Sequence, residues 1–79
     1  MTFDIKLSPS MNNFNLEIIT SEIGRKTVRI ISKNGKLVKE MILSPYQKNI
    51  TLGSDLSAET YTIEVKQGNQ LKRTTFLKT

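Results

Sequence analysis

The sequence lacks the two residue types on which most enzyme active sites depend. Its 79 residues include no cysteine and no histidine. Without cysteine, disulfide bonds, thiolate nucleophiles, thiolate-bound zinc and iron–sulfur clusters are excluded. Without histidine, the commonest general base and the commonest metal ligand are missing. We therefore expect a protein that is not an enzyme and that carries no cofactor or metal.

The remaining chemistry-bearing residues form no recognisable site. The seven acidic residues are scattered along the chain, so no two carboxylates are paired by spacing for acid–base work. The serines and threonines have no neighbouring base that would activate them. Asn12, Asn13 and Asp55 are the obvious loop ligands for calcium, but these residue types also form ordinary turns, and no run of spaced acids accompanies them.

The chain also lacks long apolar runs and the features of a secretion signal. No stretch approaches the roughly 18 consecutive apolar residues that a membrane-spanning helix needs, so we expect no membrane insertion. The N-terminus has neither the basic region nor the apolar region of a signal peptide. With 79 residues, of which 37% are hydrophobic, the chain is predicted to be one domain, 1–79, with an economical core. If this domain is exported, the signal belongs to a larger parent.

Aromatic residues are few and positive charge is in excess. Twelve Lys and Arg against seven Asp and Glu give a net charge of +5, which suits either an anionic partner or simple solubility. Binding of single-stranded nucleic acid would need exposed aromatic rings among the cations. The rings that can be placed on strands fall at inward positions, and basic residues also protect strand edges from aggregation. We therefore expect no nucleic-acid partner.

Apolar residues recur with a period of two through nearly the whole chain, which predicts an all-β protein. Pro9 is expected to stop the first strand, and Asn12-Asn13 to form the turn that follows it. Asn34-Gly35 predicts a two-residue type I′ hairpin. Adjacent apolar pairs in the fourth strand indicate a possible β-bulge. The predicted strands are 3–7, 14–19, 26–32, 37–43, 49–52, 61–66 and 70–77.

The segment from Gly53 to Thr60 is long enough to cross from one sheet to another. Seven short strands with such a crossover are typical of an antiparallel immunoglobulin-like β-sandwich, which is our predicted fold. Leu56 followed by Tyr61 at the start of the sixth strand resembles a tyrosine corner, in which the phenol hydroxyl binds backbone a few residues upstream. The alternative is an ordinary core tyrosine.

Four stretches that together cover nearly the whole chain carry motifs in a fixed order: Ile5-Lys6-Leu7-Ser8-Pro9-Ser10-Met11-Asn12-Asn13-Phe14-Asn15-Leu16-Glu17-Ile18, Val28-Arg29-Ile30-Ile31-Ser32-Lys33-Asn34-Gly35-Lys36-Leu37-Val38, Leu56-Ser57-Ala58-Glu59-Thr60-Tyr61-Thr62-Ile63-Glu64-Val65 and Lys72-Arg73-Thr74-Thr75-Phe76-Leu77-Lys78. In this order they resemble the C-terminal sorting domain of cargo proteins of the type IX secretion system. Ser8 stands where this family usually has Asn before the proline, and Glu59 stands where it usually has Gly.

The resemblance implies a secretion signal that is read as a folded domain. Such a domain follows a cargo domain in a secreted parent chain, passes through the periplasm, and is recognised by an outer-membrane translocon and a cysteine sortase. The cargo then stays at the cell surface or is released outside the cell. The residues expected to contact these partners are Gly35, Lys36, Lys72, Arg73 and Lys78, and the expected structural anchors are Pro9, Leu56 and Tyr61.

A different class of function remains open on the sequence alone. Immunoglobulin-like and fibronectin-like modules that serve in adhesion or in carbohydrate binding share the Leu and Tyr pattern and the Asn-Gly hairpin. A carbohydrate-binding module would need exposed aromatic rings on one face. Tyr46, in the loop after the fourth strand, is the one ring expected to be exposed.

Overall fold

The computed structural model describes residues 3–10, 13–21 and 23–78 and shows an antiparallel immunoglobulin-like β-sandwich. The alternating apolar residues form seven strands, and this part of the chain contains no helix. The predicted fold class is thereby confirmed. The strands are β1 (Phe3–Ser10), β2 (Asn13–Thr20), β3 (Lys26–Ser32), β4 (Leu37–Leu43), β5 (Asn49–Leu52), β6 (Thr60–Gln67) and β7 (Gln70–Leu77).

The strands form two sheets that face each other. One sheet has the order β1-β2-β5, and the other has the order β4-β3-β6-β7. The segment between β5 and β6 therefore passes from one sheet to the other, as the sequence predicted. Residues of β1 also contact β7, which places these two edge strands on the same side of the sandwich.

The core lies between the sheets and is built from the inward positions of the central strands. Its members are mostly aliphatic, and burying each of them stabilises the fold by about 1.5–3 kcal/mol. Two aromatic contacts close one end, where the ring of Phe76 lies 4.4 Å from that of Phe14 and 5.4 Å from that of Tyr61. The buried core residues are Leu16, Ile18, Val28, Ile30, Leu43, Leu52, Leu56, Tyr61, Ile63, Val65 and Phe76.

Strand β4 lies at the edge of the four-stranded sheet and is largely exposed. Of its residues only Leu43 is buried and only Met41 is half-buried. The pairing with β3 shifts register between Ile30 and Ile31, so that Ile30 faces Lys39 and Ile31 faces Leu37. Val38 is therefore the extra residue of a β-bulge, which the adjacent apolar pairs of this strand had indicated.

The hairpin between β3 and β4 differs from the predicted two-residue turn. The N–H of Gly35 donates to the carbonyl of Ser32 at 2.9 Å, and the N–H of Ser32 donates to the carbonyl of Lys36 at 2.8 Å. These bonds enclose a three-residue loop, Lys33-Asn34-Gly35, rather than a type I′ turn on Asn34 and Gly35. Gly35, with φ of +84°, takes the left-handed position that closes such a loop.

Two predictions about the first hairpin were wrong. Strand β1 continues through Pro9 to Ser10, with Pro9 opposite Phe14. It can do so because β1 is an edge strand, where a proline is tolerated if its missing N–H would have faced away from the partner strand. Asn13 belongs to β2 rather than to the turn. Asn12, the other predicted turn residue, lies outside the described residues.

Candidate functional site

The residues singled out from the sequence fall on two separate parts of the surface. Gly35 and Lys36 lie at the tip of the β3–β4 hairpin, whereas Lys72 and Arg73 lie on β7. Strands β4 and β7 are the opposite edges of one sheet and are separated by β3 and β6. With neighbouring strands about 4.8 Å apart, the two groups are more than about 10 Å from each other. The structure therefore offers two candidate contact surfaces.

The first surface is an open groove of about 510 Å³ beside the β3–β4 hairpin, which we call the hairpin groove. Its walls come from the hairpin, from the start of β4, and from the crossover between β5 and β6. Leu37 and Val38 are 50% and 44% exposed there, so one wall is apolar. The groove is lined by Ser32, Asn34, Lys36, Leu37, Val38, Asp55, Leu56, Ser57, Glu59 and Tyr61.

Tyr61 anchors the floor of the hairpin groove. Its hydroxyl donates to the carbonyl of Ser57 at 2.9 Å and lies 3.2 Å from the Ser57 hydroxyl. The ring itself is only 2% exposed. The phenol thus binds backbone four residues upstream, which is the tyrosine-corner contact expected from the sequence, and it holds the crossover against β6.

The crossover is also tied to β4 by a charged contact. The Lys39 ammonium donates to the Asp55 carboxylate at 3.1 Å, and this hydrogen bond lowers the pKa of Asp55 from its usual value of 3.8. Asp55 was one of the calcium candidates, and its carboxylate is occupied by this ion pair. Among the described residues, no group of three or more acidic side chains is arranged to hold a metal ion.

The second surface is the edge formed by β7. Lys72 is exposed and has no ion-pair partner among the described residues. Arg73 is exposed as well, but its Nε donates to Glu64 at 2.8 Å. Glu64 also lies 3.8 Å from Arg29, which in turn binds Glu40 at 2.6 Å. Acidic and basic side chains therefore alternate across all four strands on the outer face of this sheet.

Lys78 does not belong to this exposed surface, contrary to the expectation that the last strand would present its charge outward. It follows β7 rather than lying in it, and it is only 9% exposed. Its ammonium donates to the carbonyl of Gly53 at 2.7 Å. The physical reason is that the carbonyl of Gly53, at the start of the crossover, lies close enough to accept a hydrogen bond from the side chain. Lys78 fastens the end of the chain to the crossover.

Lys26, the first residue of β3, is a buried cation. It is 0% exposed, and its ammonium donates to the carbonyls of Gly24 and Pro45 at 3.2 and 3.0 Å. Burial, with a smaller repulsion from Lys48, lowers the pKa of Lys26 below 10.5. The alternation of β3 held the signal, because Lys26 has the same parity as the buried Val28 and Ile30.

Aromatic side chains take the positions expected from the sequence. Tyr61 and Phe76 are buried, and Phe14 packs against them. Tyr46, in the turn after β4, is 78% exposed. The outer face of the four-stranded sheet therefore has cations without aromatic rings between them.

Compared with known proteins, the chain matches no family model and no curated protein sequence. The part of the chain that the structure describes also contains no helix long and apolar enough to cross a membrane.

Proposed function

We propose that this chain is a C-terminal sorting domain that a type IX secretion translocon and a cysteine sortase recognise. The observation that carries the proposal is the hairpin groove. The hairpin motif supplies Lys36 to it, and the Leu-to-Tyr motif supplies Leu56 and Tyr61. These motifs are about twenty residues apart in the sequence. Residues from two stretches of the resemblance therefore form one groove, in which Lys36 is exposed to a partner and Leu56 and Tyr61 are buried beneath it.

The roles of these residues follow from where they lie. Gly35 allows the hairpin to close, and Lys36 places an exposed charge at the mouth of the groove. Leu56 and Tyr61 are buried and keep the crossover in position. Lys36 thus lies beside a crossover that buried residues hold in place, as a signal read through its folded shape requires.

The proposed route through the cell follows from the same role. The domain would travel through the periplasm at the end of its cargo protein and reach the outer membrane as a folded sandwich. There the translocon would move the cargo to the cell surface or the medium, and the sortase would act on the junction. The export signal for the first membrane would come from the parent chain.

An adhesion or carbohydrate-binding role has less support. Sugar-binding surfaces usually rely on several aromatic rings that stack on the ligand. Of the five aromatic residues, only Tyr46 is largely exposed, and it stands alone in a turn.

The test of this function is a fusion to a reporter that reaches the periplasm in a host with the secretion machinery. We expect the reporter outside the cell with the full chain and inside it after deletion of residues 71–79. A sharper comparison uses Lys36→Glu and Lys33→Glu, since both lysines lie in the same hairpin and are exposed but only Lys36 lines the groove. We expect only Lys36→Glu to reduce secretion. Equal secretion after the deletion, or no secretion of the full chain, would contradict the proposal.

A further inference from the structure

The sandwich has four edge strands, β1 and β5 in one sheet and β4 and β7 in the other. An edge strand exposes backbone N–H and C=O groups that can pair with a strand from another chain. Native proteins block such edges with proline, a bulge, a very short strand or charged side chains, lysine above all. The four edges of this protein differ in how well they are blocked.

The β1 edge is partly closed. The N–H of Ile18 donates to the carbonyl of Lys48, so the backbone N–H and C=O groups of the even-numbered residues of β2 point toward β5, and those of the odd-numbered residues point toward β1. In the register of the β1–β2 pair, the backbone groups of the odd-numbered residues of β1 therefore point to the free edge. Of these, Pro9 has no N–H, and the N–H of Ile5 is capped by the Asp4 carboxylate at 2.8 Å.

Strands β5 and β4 are also poor templates. Strand β5 has only four residues, so its free edge offers few backbone groups to a further strand. Strand β4 carries the bulge at Val38, which breaks the regular spacing of its backbone groups.

Strand β7 is protected by charge rather than by shape: Lys72 and Arg73 oppose pairing with a basic strand or with a second copy, but not with an acidic strand. Strand β7 is eight residues long, contains no proline, and pairs with β6 without a register shift. The N–H of Lys78 donates to the carbonyl of Glu59 at 2.9 Å, so the even-numbered residues here bond toward β6. The odd-numbered residues therefore direct their N–H and C=O groups to the free edge: Leu71, Arg73, Thr75 and Leu77.

The side chains along this edge define the chemistry of a matching strand. Leu71 and Leu77 are 44% and 62% exposed on the outer face of the sheet. Lys72 and Arg73 add two positive charges near one end. Directly opposite residues in a sheet interact most, with apolar pairs and opposite charges favoured.

We propose that the β7 edge binds an extended, acidic segment of a partner protein, which adds to the sheet as an antiparallel fifth strand. Its residues opposite Leu71 and Leu77 are apolar, and those opposite Lys72 and Arg73 are acidic. Backbone hydrogen bonds supply affinity, and these side-chain pairs supply selectivity. A second copy of this chain fits less well, since each copy carries a net charge of +5. The inference rests on the proposed function only for the identity of the partner.

The probe is an end-blocked peptide, Val-Thr-Val-Thr-Glu-Glu-Val, whose two glutamates face Arg73 and Lys72 in the antiparallel register. Amide hydrogen exchange of the full chain is followed by NMR at a peptide concentration about ten times the Kd. Exchange should then slow about elevenfold at outward amides such as Leu71 and Thr75, whereas the amide of Asn34, in the distant β3–β4 loop, should change little. A peptide with lysines in place of the glutamates should bind at least about tenfold more weakly.

Two variants separate edge pairing from general charge attraction. Thr75→Pro removes an outward N–H without breaking the ladder to β6, so it should abolish peptide binding while the domain stays folded. Lys72→Glu should weaken binding about tenfold, and Lys33→Glu, at the distant hairpin, should leave it unchanged. Lys72→Glu needs no change in the backbone, so it tests the proposal even if Thr75→Pro does not fold.

Three results would overturn this inference: equal binding of the acidic and basic peptides, protection that appears at β1 or β4 instead of β7, or protection without peptide that grows with protein concentration. The last result would identify a second copy as the occupant. If the peptide binds as described but the reporter fusion is not secreted, the edge site stands and the sorting function fails. If secretion works and the peptide does not bind, only the edge site fails.

Discussion

Replacing Tyr61 by phenylalanine removes one oxygen atom from the hairpin groove and keeps the ring packed against Phe76. The lost contact is the 2.9 Å hydrogen bond to the Ser57 carbonyl. A neutral hydrogen bond contributes about 0.5–1.5 kcal/mol, and leaving a partly buried acceptor unpaired costs somewhat more. We therefore expect the free energy of unfolding to fall by about 1–2 kcal/mol. For a domain of this size, each kcal/mol lowers Tm by about 4–8 °C.

The measurement is urea or thermal unfolding followed by circular dichroism, with Tyr46→Phe as the matched control. Tyr46 is 78% exposed, so its hydroxyl is bound to water in both the folded and the unfolded chain. The free energy of unfolding should therefore change by no more than about 0.5 kcal/mol. Equal effects of the two substitutions would refute the reasoning, because the Tyr61 hydroxyl would then contribute nothing through its fixed partner. The m-value should be unchanged, since both proteins expose the same surface on unfolding.

Three further substitutions test other parts of the structure. Ile63→Ala should destabilise the domain by about 2–5 kcal/mol in chemical unfolding, whereas Ile42→Ala, at a position 68% exposed, should have almost no effect. Gly53→Ala should cost more than about 1 kcal/mol in the same assay, because φ is +102° and the new Cβ would lie 3.1 Å from the Phe14 ring. Burial lowers the pKa of Lys26, so the unfolded chain binds more protons; stability should rise with pH toward 10.5, and Lys26→Met should flatten this rise.

The strand pattern could be predicted from the sequence because it depends on local alternation. Strands β3, β4, β5 and β7 begin and end where the alternation and the turn residues indicated. The bulge in β4 was also visible as adjacent apolar pairs. These features depend only on the local alternation of apolar and polar residues, which distinguishes the buried face of a strand from its solvent-facing one.

The remaining differences depend on tertiary contacts or on rules that the pattern alone does not contain. The three-residue hairpin loop uses the same Asn34 and Gly35 as a type I′ turn, so the dipeptide does not distinguish the two. Pro9 was predicted to end the first strand. It is tolerated within β1 because β1 is an edge strand, and the order of the strands in the sheet cannot be read from the local pattern. Lys78 can be buried because its ammonium donates to the carbonyl of Gly53 in the crossover, 25 residues earlier in the chain.

Lys26 is different, because its burial could have been predicted. It shares the parity of Val28 and Ile30, which places it on the buried side of β3 although lysine is rarely buried. The carbonyls of Gly24 and Pro45 make the burial possible by accepting hydrogen bonds from the ammonium. The alternation of β3 thus decides the burial of a charged residue as well as of apolar ones.

The most direct test of the sorting function compares one fusion in two hosts. The chain is joined to a periplasmic reporter and expressed in a strain that carries the type IX translocon and in an otherwise identical strain that lacks it. We expect the reporter at the cell surface or in the medium only when the translocon is present, and in the periplasm when it is absent. The same distribution of reporter in both strains would contradict the account.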